Sequence, residues 1–176
     1  YGNIESLGEY QLKDNELETS SERLMLYLKE GWNSEFSVHR TKEFIQACEK
    51  RDILPDSGIC ETLSNSVTFI QGKSKQIDCL YLFRQVHPQR HLNSPFLERL
   101  TSPNWYPSYQ IYLQQITKAL EKYEGLSSEK ASEIANHAFD QLLITLIKKT
   151  LVQQNMGNQS AFSLKQIVKQ IPSAKA

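Results

Sequence analysis

The chain has 176 residues, 39% hydrophobic and 23% charged, which is enough for one domain with its own core and too apolar for a disordered chain. Its formal net charge is zero, so bulk electrostatics singles out neither nucleic acid nor a membrane as partner. No signal peptide is legible, and no apolar run approaches the roughly 18 residues of a membrane-spanning helix, so a cytoplasmic location is expected.

The charge is unevenly spread. Residues 1–36 carry eight acidic and three basic side chains, and residues 140–176 carry one and five. Front and tail can neutralise each other within the fold or act as docking segments. Cys48, Cys60 and Cys79 fit neither a disulfide framework nor a zinc pattern and read as buried free thiols; no metal or other cofactor is expected. Asn158-Gln159-Ser160 is a formal glycosylation sequon. The start at Tyr1 rather than Met suggests a piece of a longer protein.

Residues 1–18 are acidic and weakly patterned, an expected flexible or extended arm, with residues 19–176 forming a single helical domain. Thr19 and Glu22 have the spacing of a capping box that opens a helix through Leu24 and Leu28, and Gly31 stops it. Ser37 is placed to cap a second helix with Phe44, Ile45 and Cys48 as its apolar stripe, ending before Pro55. In residues 57–86, Ile59, Leu63, Val67 and Ile70 recur at helical spacing, and Ile77, Leu80 and Tyr81 continue in a second helix after Gly72. The same stretch is rich in strand formers around a Gly-Lys-Ser-Lys turn, so a small β-hairpin at 66–83 is the competing reading. Ser94-Pro95 marks a short helix start.

The last third is the most regular. From Pro107 to Glu124 an apolar stripe runs through Tyr109, Tyr112, Leu113, Ile116, Leu120 and Tyr123, and Gly125 is placed to end the helix in the left-handed conformation. Ser127 or Ser128 caps the next helix, which runs to about Gln154. The connection is short, so 107–124 and 128–154 should form an antiparallel helical hairpin. A final helix is expected over Ser163–Ile171, stopped by Pro172. The fold class is therefore mainly α, a helical bundle.

No chemical motif is complete. Gln71-Gly72-Lys73-Ser74 resembles the end of a phosphate-binding loop, but Val67 stands where the loop needs glycine. His87 and His91 have metal-ligand spacing, but Pro88 interrupts the helix that would align them. His39 and His137 have no activating neighbour in sequence; a site assembled in space leaves no such trace, so an enzyme stays open as the least favoured class.

Two features point to binding instead. Trp105 and Tyr106 lie in an expected non-helical stretch, Thr101 to Pro107, stiffened by two prolines; they either plug the end of the helical hairpin as a lid on the core or insert into a partner. In the second half of the last long helix the back face turns apolar through Ile144, Ile147 and Leu151. Either another helix of the chain covers that strip, or it is an interface. The expected function is a helical protein–protein interaction module, bound to a protein partner or a second copy, within a larger adaptor or effector-like protein. Its Ser-, Gln- and Asn-rich texture is similar to that of bacterial proteins delivered into host cells. The alternative is an anion-binding module for acidic lipid headgroups or nucleic acid, using Lys73, Lys75, Arg84 and Arg90.

Overall fold

The computed structural model describes residues 13–31, 34, 36–78 and 95–156, with side chains followed to residue 152. The described residues are mainly helical: α1 (Ser20–Glu30), α2 (Thr41–Cys48), a 3-10 turn (Arg51–Ile53), α3 (Ser57–Gln71), α4 (Phe96–Leu100), α5 (Trp105–Glu124) and α6 (Ser128–Met156). They contain no strand, only an isolated antiparallel bridge between Asn15 and Ser74.

Helix α1 begins and ends where its capping residues dictate. Thr19 and Glu22 form the reciprocal capping box, and Gly31 terminates the helix at φ 67°, its N–H donating to the Tyr27 carbonyl. Helix α2 departs from the expectation. It starts at Thr41 with no side-chain cap, not at Ser37, and Ile45 faces solvent while Ala47 is buried. Asp56 caps α3 by accepting from the Ile59 N–H at 2.8 Å.

Val67–Ile70, the first strand of the alternative hairpin, belong to α3, in which Ile59, Leu63, Phe69 and Ile70 are buried together. Tertiary contacts decide this against strand propensity. Arg23 of α1 donates Nε to the Phe69 carbonyl (2.8 Å) and Nη2 to that of Ile70 (2.9 Å), and Ser20 Oγ also donates to Ile70 (2.7 Å). These donors occupy carbonyls that the end of a helix leaves free. Ile77 and Asp78 are not helical, and residues 79–94, with the rest of the expected second helix, Cys79 and the helix start at Ser94, lie outside the described residues. So does the expected Ser163–Ile171 helix.

Helix α5 starts two residues before Pro107, so the Trp105–Pro107 stretch is its first turn and not a loop. Proline is tolerated there because the N–H it lacks has no partner within the helix. Gly125, at φ 73°, ends α5, and Ser127 caps α6 through the Lys130 N–H. Tyr109 donates to Asn136 Oδ1 at 3.2 Å, and the Tyr109 and Tyr112 rings lie 4.8 and 4.9 Å from that of Phe139. The two helices therefore run side by side in opposite directions from the Gly125 turn. Ala131, Ala135 and Ala138 present a small-residue face on α6, against which α1 and α5 pack, and α3 packs on α1 and α5.

The core centres on Leu24, Leu28, Phe69, Ile70, Tyr112, Ile116, Leu120 and Phe139. Tyr112 is fully enclosed, its hydroxyl 3.0 Å from Ser66 Oγ. Burial pushes the Tyr112 hydroxyl far above its ordinary pKa, outweighing the opposing pull of the Ser66 hydrogen bond. A pKa raised in the folded state gives stability that is present below the unfolded tyrosine value near 10 and lost as pH rises beyond it. Stability should fall by about 1.4 kcal/mol per pH unit above pH ~10 from this residue. Tyr112→Phe removes that component of the slope and costs about 1 kcal/mol at neutral pH. Urea midpoints of both proteins from neutral to alkaline pH provide the comparison, and parallel curves would refute the assignment.

A candidate partner-binding face

The length of α6 creates the face. It has 29 residues against 20 in α5, and the short turn at Gly125 aligns them at one end. At 1.5 Å per residue α6 therefore overhangs the start of α5 by about 13 Å. On its other flank, Thr145 Oγ1 donates to the Lys29 carbonyl at 3.1 Å, so α1 finishes at the same level. Beyond Thr145, α6 has outrun both helices that pack along it.

The apolar strip read from the sequence begins at Ile144, level with the end of α1, and runs onto the overhang. Ile144 is 43% exposed, Ile147 and Leu151 are half-buried, and Val152, which the sequence reading missed, is 57% exposed. Spacings of three, four and seven residues place Ile144, Ile147 and Leu151 on one side of the helix. None of them belongs to the buried core cluster or to the partly buried residues packed against it. Lys148 and Lys149 stand exposed beside them.

Tyr106 and Trp105 part company. Tyr106 is 38% exposed, accepts from Gln110 Nε2 at 3.2 Å, and lies one turn before Tyr109 on α5. With Tyr109 opposite Asn136 and Phe139, the antiparallel register sets Tyr106 level with the residues just before Ile144. Trp105 is 5% exposed, which decides between its two readings for the lid on the core and removes it as an insertion anchor. Its ring packs edge-on against Phe96 (5.7 Å), stands 6.3 Å from Phe139, and lies under the Arg99 guanidinium at 5.9 Å. An indole placed as the first residue of a helix above a phenylalanine cluster closes the core, and it has no free face to offer.

The alternative anion site is only partly visible. Lys73 pairs with Glu18 at 2.5 Å and Lys75 with Glu16 at 3.7 Å, so acidic side chains of the arm stand against both lysines. Arg84 and Arg90 lie outside the described residues, as do His87 and His91.

Two surface depressions lie among the described helices. One, of about 440 Å³, lies between α1 and the first half of α6, with Leu17, Met25 and Ile134 among its walls and His137, Glu22 and Glu133 beside them. It holds the residue types of acid–base chemistry, but both carboxylates are engaged. The Thr19 hydrogen bonds hold Glu22 below the usual carboxylate range, and the Lys130 hydrogen bond and charge do the same for Glu133. The other, of about 230 Å³, reaches between α1, α3 and α6 to Trp105 and Phe139 and contains neither histidine nor cysteine. His39 stacks on Phe44 with Nε2 3.1 Å from the Ser34 carbonyl oxygen. Cys48 and Cys60 are half-buried free thiols. Among the described residues no group of three or more His, Cys, Asp or Glu side chains could hold a metal, and no helix is long and apolar enough to cross a membrane.

Sequence reasoning also missed two polar centres that tie the other helices together. The Asp56 carboxylate takes Arg99 through Nε (3.2 Å) and Nη2 (2.6 Å), and the Asp56 N–H donates to Ser108 Oγ at 2.9 Å. This ties the starts of α3 and α5 to α4. Arg23 is the other centre. Asp56 could have been recognised as a cap from its place before Ser57, but nothing local marks Arg99 or Arg23. Comparison with known proteins supplies no relative: no protein-family model, no curated protein and no solved structure matches the chain.

Proposed function

We propose that this chain is a helical protein-binding module whose contact surface is the overhang of α6, with Ile144, Ile147, Leu151 and Val152 at its centre and Tyr106 at its edge. The observation that carries this reading is the exposure of Ile144 and Val152 on a helix whose opposite face is core, at and beyond the level where α1 ends. Exposed apolar side chains flanked by Lys148 and Lys149 match the anatomy of interface cores and rims. Such a module suits a larger adaptor or effector-like protein acting in a cytoplasm, bound to a protein partner or to a second copy.

The test replaces Ile144 and Ile147 together by aspartate. Light scattering reports self-association, and capture from lysate by the tagged chain reports partners. The double variant should keep the helical circular dichroism of the parent and lose at least about 1.4 kcal/mol of association, a tenfold effect. A folded variant with the same mass and the same captured proteins would remove this face from consideration.

A further inference from the structure

A second surface, independent of the α6 face, lies where the acidic arm meets the stretch after α3. Asn15 exchanges both backbone hydrogen bonds with Ser74, at 2.9 and 3.0 Å. Glu18 pairs with Lys73, Glu16 pairs with Lys75, and Asp14 Oδ1 accepts from the Gln76 N–H at 2.6 Å. Arg23 Nη1 holds the Leu17 and Glu18 carbonyls at 2.9 and 2.8 Å, which anchors the base of the arm to α1. In an extended chain alternate residues share a side, so Lys73, Lys75 and Ile77 line up at intervals of about 7 Å. Ile77 is 67% exposed.

We propose that the acidic side chains of residues 14–18 mask the charge of Lys73 and Lys75, and that the Lys73–Lys75–Ile77 edge, once its lysines are released from Glu16 and Glu18, adsorbs to an anionic lipid surface. Release is favoured by the way this closed form is held. The ion pairs that close it join exposed side chains, and such pairs are weak in water and screened by salt. The backbone bridge itself stays in place, since Asn15 is fully buried and its Nδ2 donates to the Arg23 carbonyl at 2.9 Å, so release is confined to the ion pairs. The residue types choose lipid over nucleic acid. Lysines are drawn to anionic headgroups and an adjacent isoleucine enters the acyl boundary. Single-stranded nucleic acid is held by aromatic stacking, and residues 73–77 contain no aromatic side chain.

The experiment sediments the full chain with vesicles of phosphatidylcholine alone or mixed with phosphatidylserine. Glu16→Gln with Glu18→Gln frees both lysines and should raise affinity for the charged vesicles about tenfold over wild type, a gain abolished by high salt. Adding Lys73→Glu and Lys75→Glu should return binding to the wild-type level or below. Circular dichroism confirms that each variant is folded. The proposal is overturned by no gain in the glutamine variant, by a gain that survives the lysine reversals, or by equal binding to uncharged vesicles. A gain seen with a single-stranded oligonucleotide and not with vesicles overturns it as well.

Discussion

Arg99→Ala is expected to destabilise the fold by about 3–5 kcal/mol, the cost of leaving a buried carboxylate without its counter-charge. Asp56 is almost fully buried and accepts two hydrogen bonds from Arg99. Its Oδ1 also caps α3 through the Ile59 N–H, so the residue cannot simply turn outward to water. Asp56→Ala removes the cap and strands the guanidinium, with a loss of similar size. The double variant should lose less than the two single losses together, because each single change already breaks the shared pair.

Gly58 provides an orthogonal check. A Cβ at this position would overlap the Arg99 guanidinium. The guanidinium is the movable end of a long side chain, but here moving it breaks the Asp56 pair. Gly58→Ala should therefore cost roughly 2 kcal/mol although alanine favours helix. Urea unfolding of the four variants measures all of this, and a neutral or stabilising Gly58→Ala would show that Arg99 does not lie across the start of α3.

Arg23→Met should be about as damaging, near 3–4 kcal/mol, for a different reason. Methionine keeps much of the apolar stem but removes the donors to Phe69, Ile70, Leu17 and Glu18. Those carbonyls belong partly to the end of α3 and partly to the base of the arm, so the variant should also expose the arm to limited proteolysis. Burial pushes the Arg23 pKa down, while the charges of Glu124, Glu18 and Glu22 pull it back up. Arginine remains protonated throughout, so the effect should not depend on pH between 5 and 9. Arg23→Lys should recover only part of the loss, since one ammonium cannot reach carbonyls on two sides at once. Full stability in Arg23→Met, with an unchanged cleavage pattern, would contradict this account.

These two centres show why parts of the molecule were hard to read from the chain alone. Arg23 sits in the middle of an amphipathic helix, where an arginine ordinarily marks the solvent side. Its partners lie 46 and 47 residues away at the end of α3 and become visible only when α1 and α3 are packed. Arg99 meets Asp56 across 43 residues. The loop reading of residues 101–107 failed at a local boundary. Two prolines suggested a loop, yet a proline in the first turn is compatible with helix, and two more residues of α5 drew the indole into the core.

What the sequence alone determined is the helical class and those boundaries that local chemistry sets by itself. The Thr19–Glu22 box, the left-handed Gly31 and Gly125 and the Ser127 cap act within a few residues, and all four stand where their residue types place them. The chain also showed that Ile144, Ile147 and Leu151 share one side of a long helix, since periodicity is a local property. Only the tertiary structure decided that α1 and α5 end level with Thr145 and leave that side outside the described core. It likewise decided that Trp105 is enclosed and that the acidic arm lies against Lys73 and Lys75. Exposure and charge pairing depend on which distant segments arrive beside a residue, and no spacing within one segment encodes that.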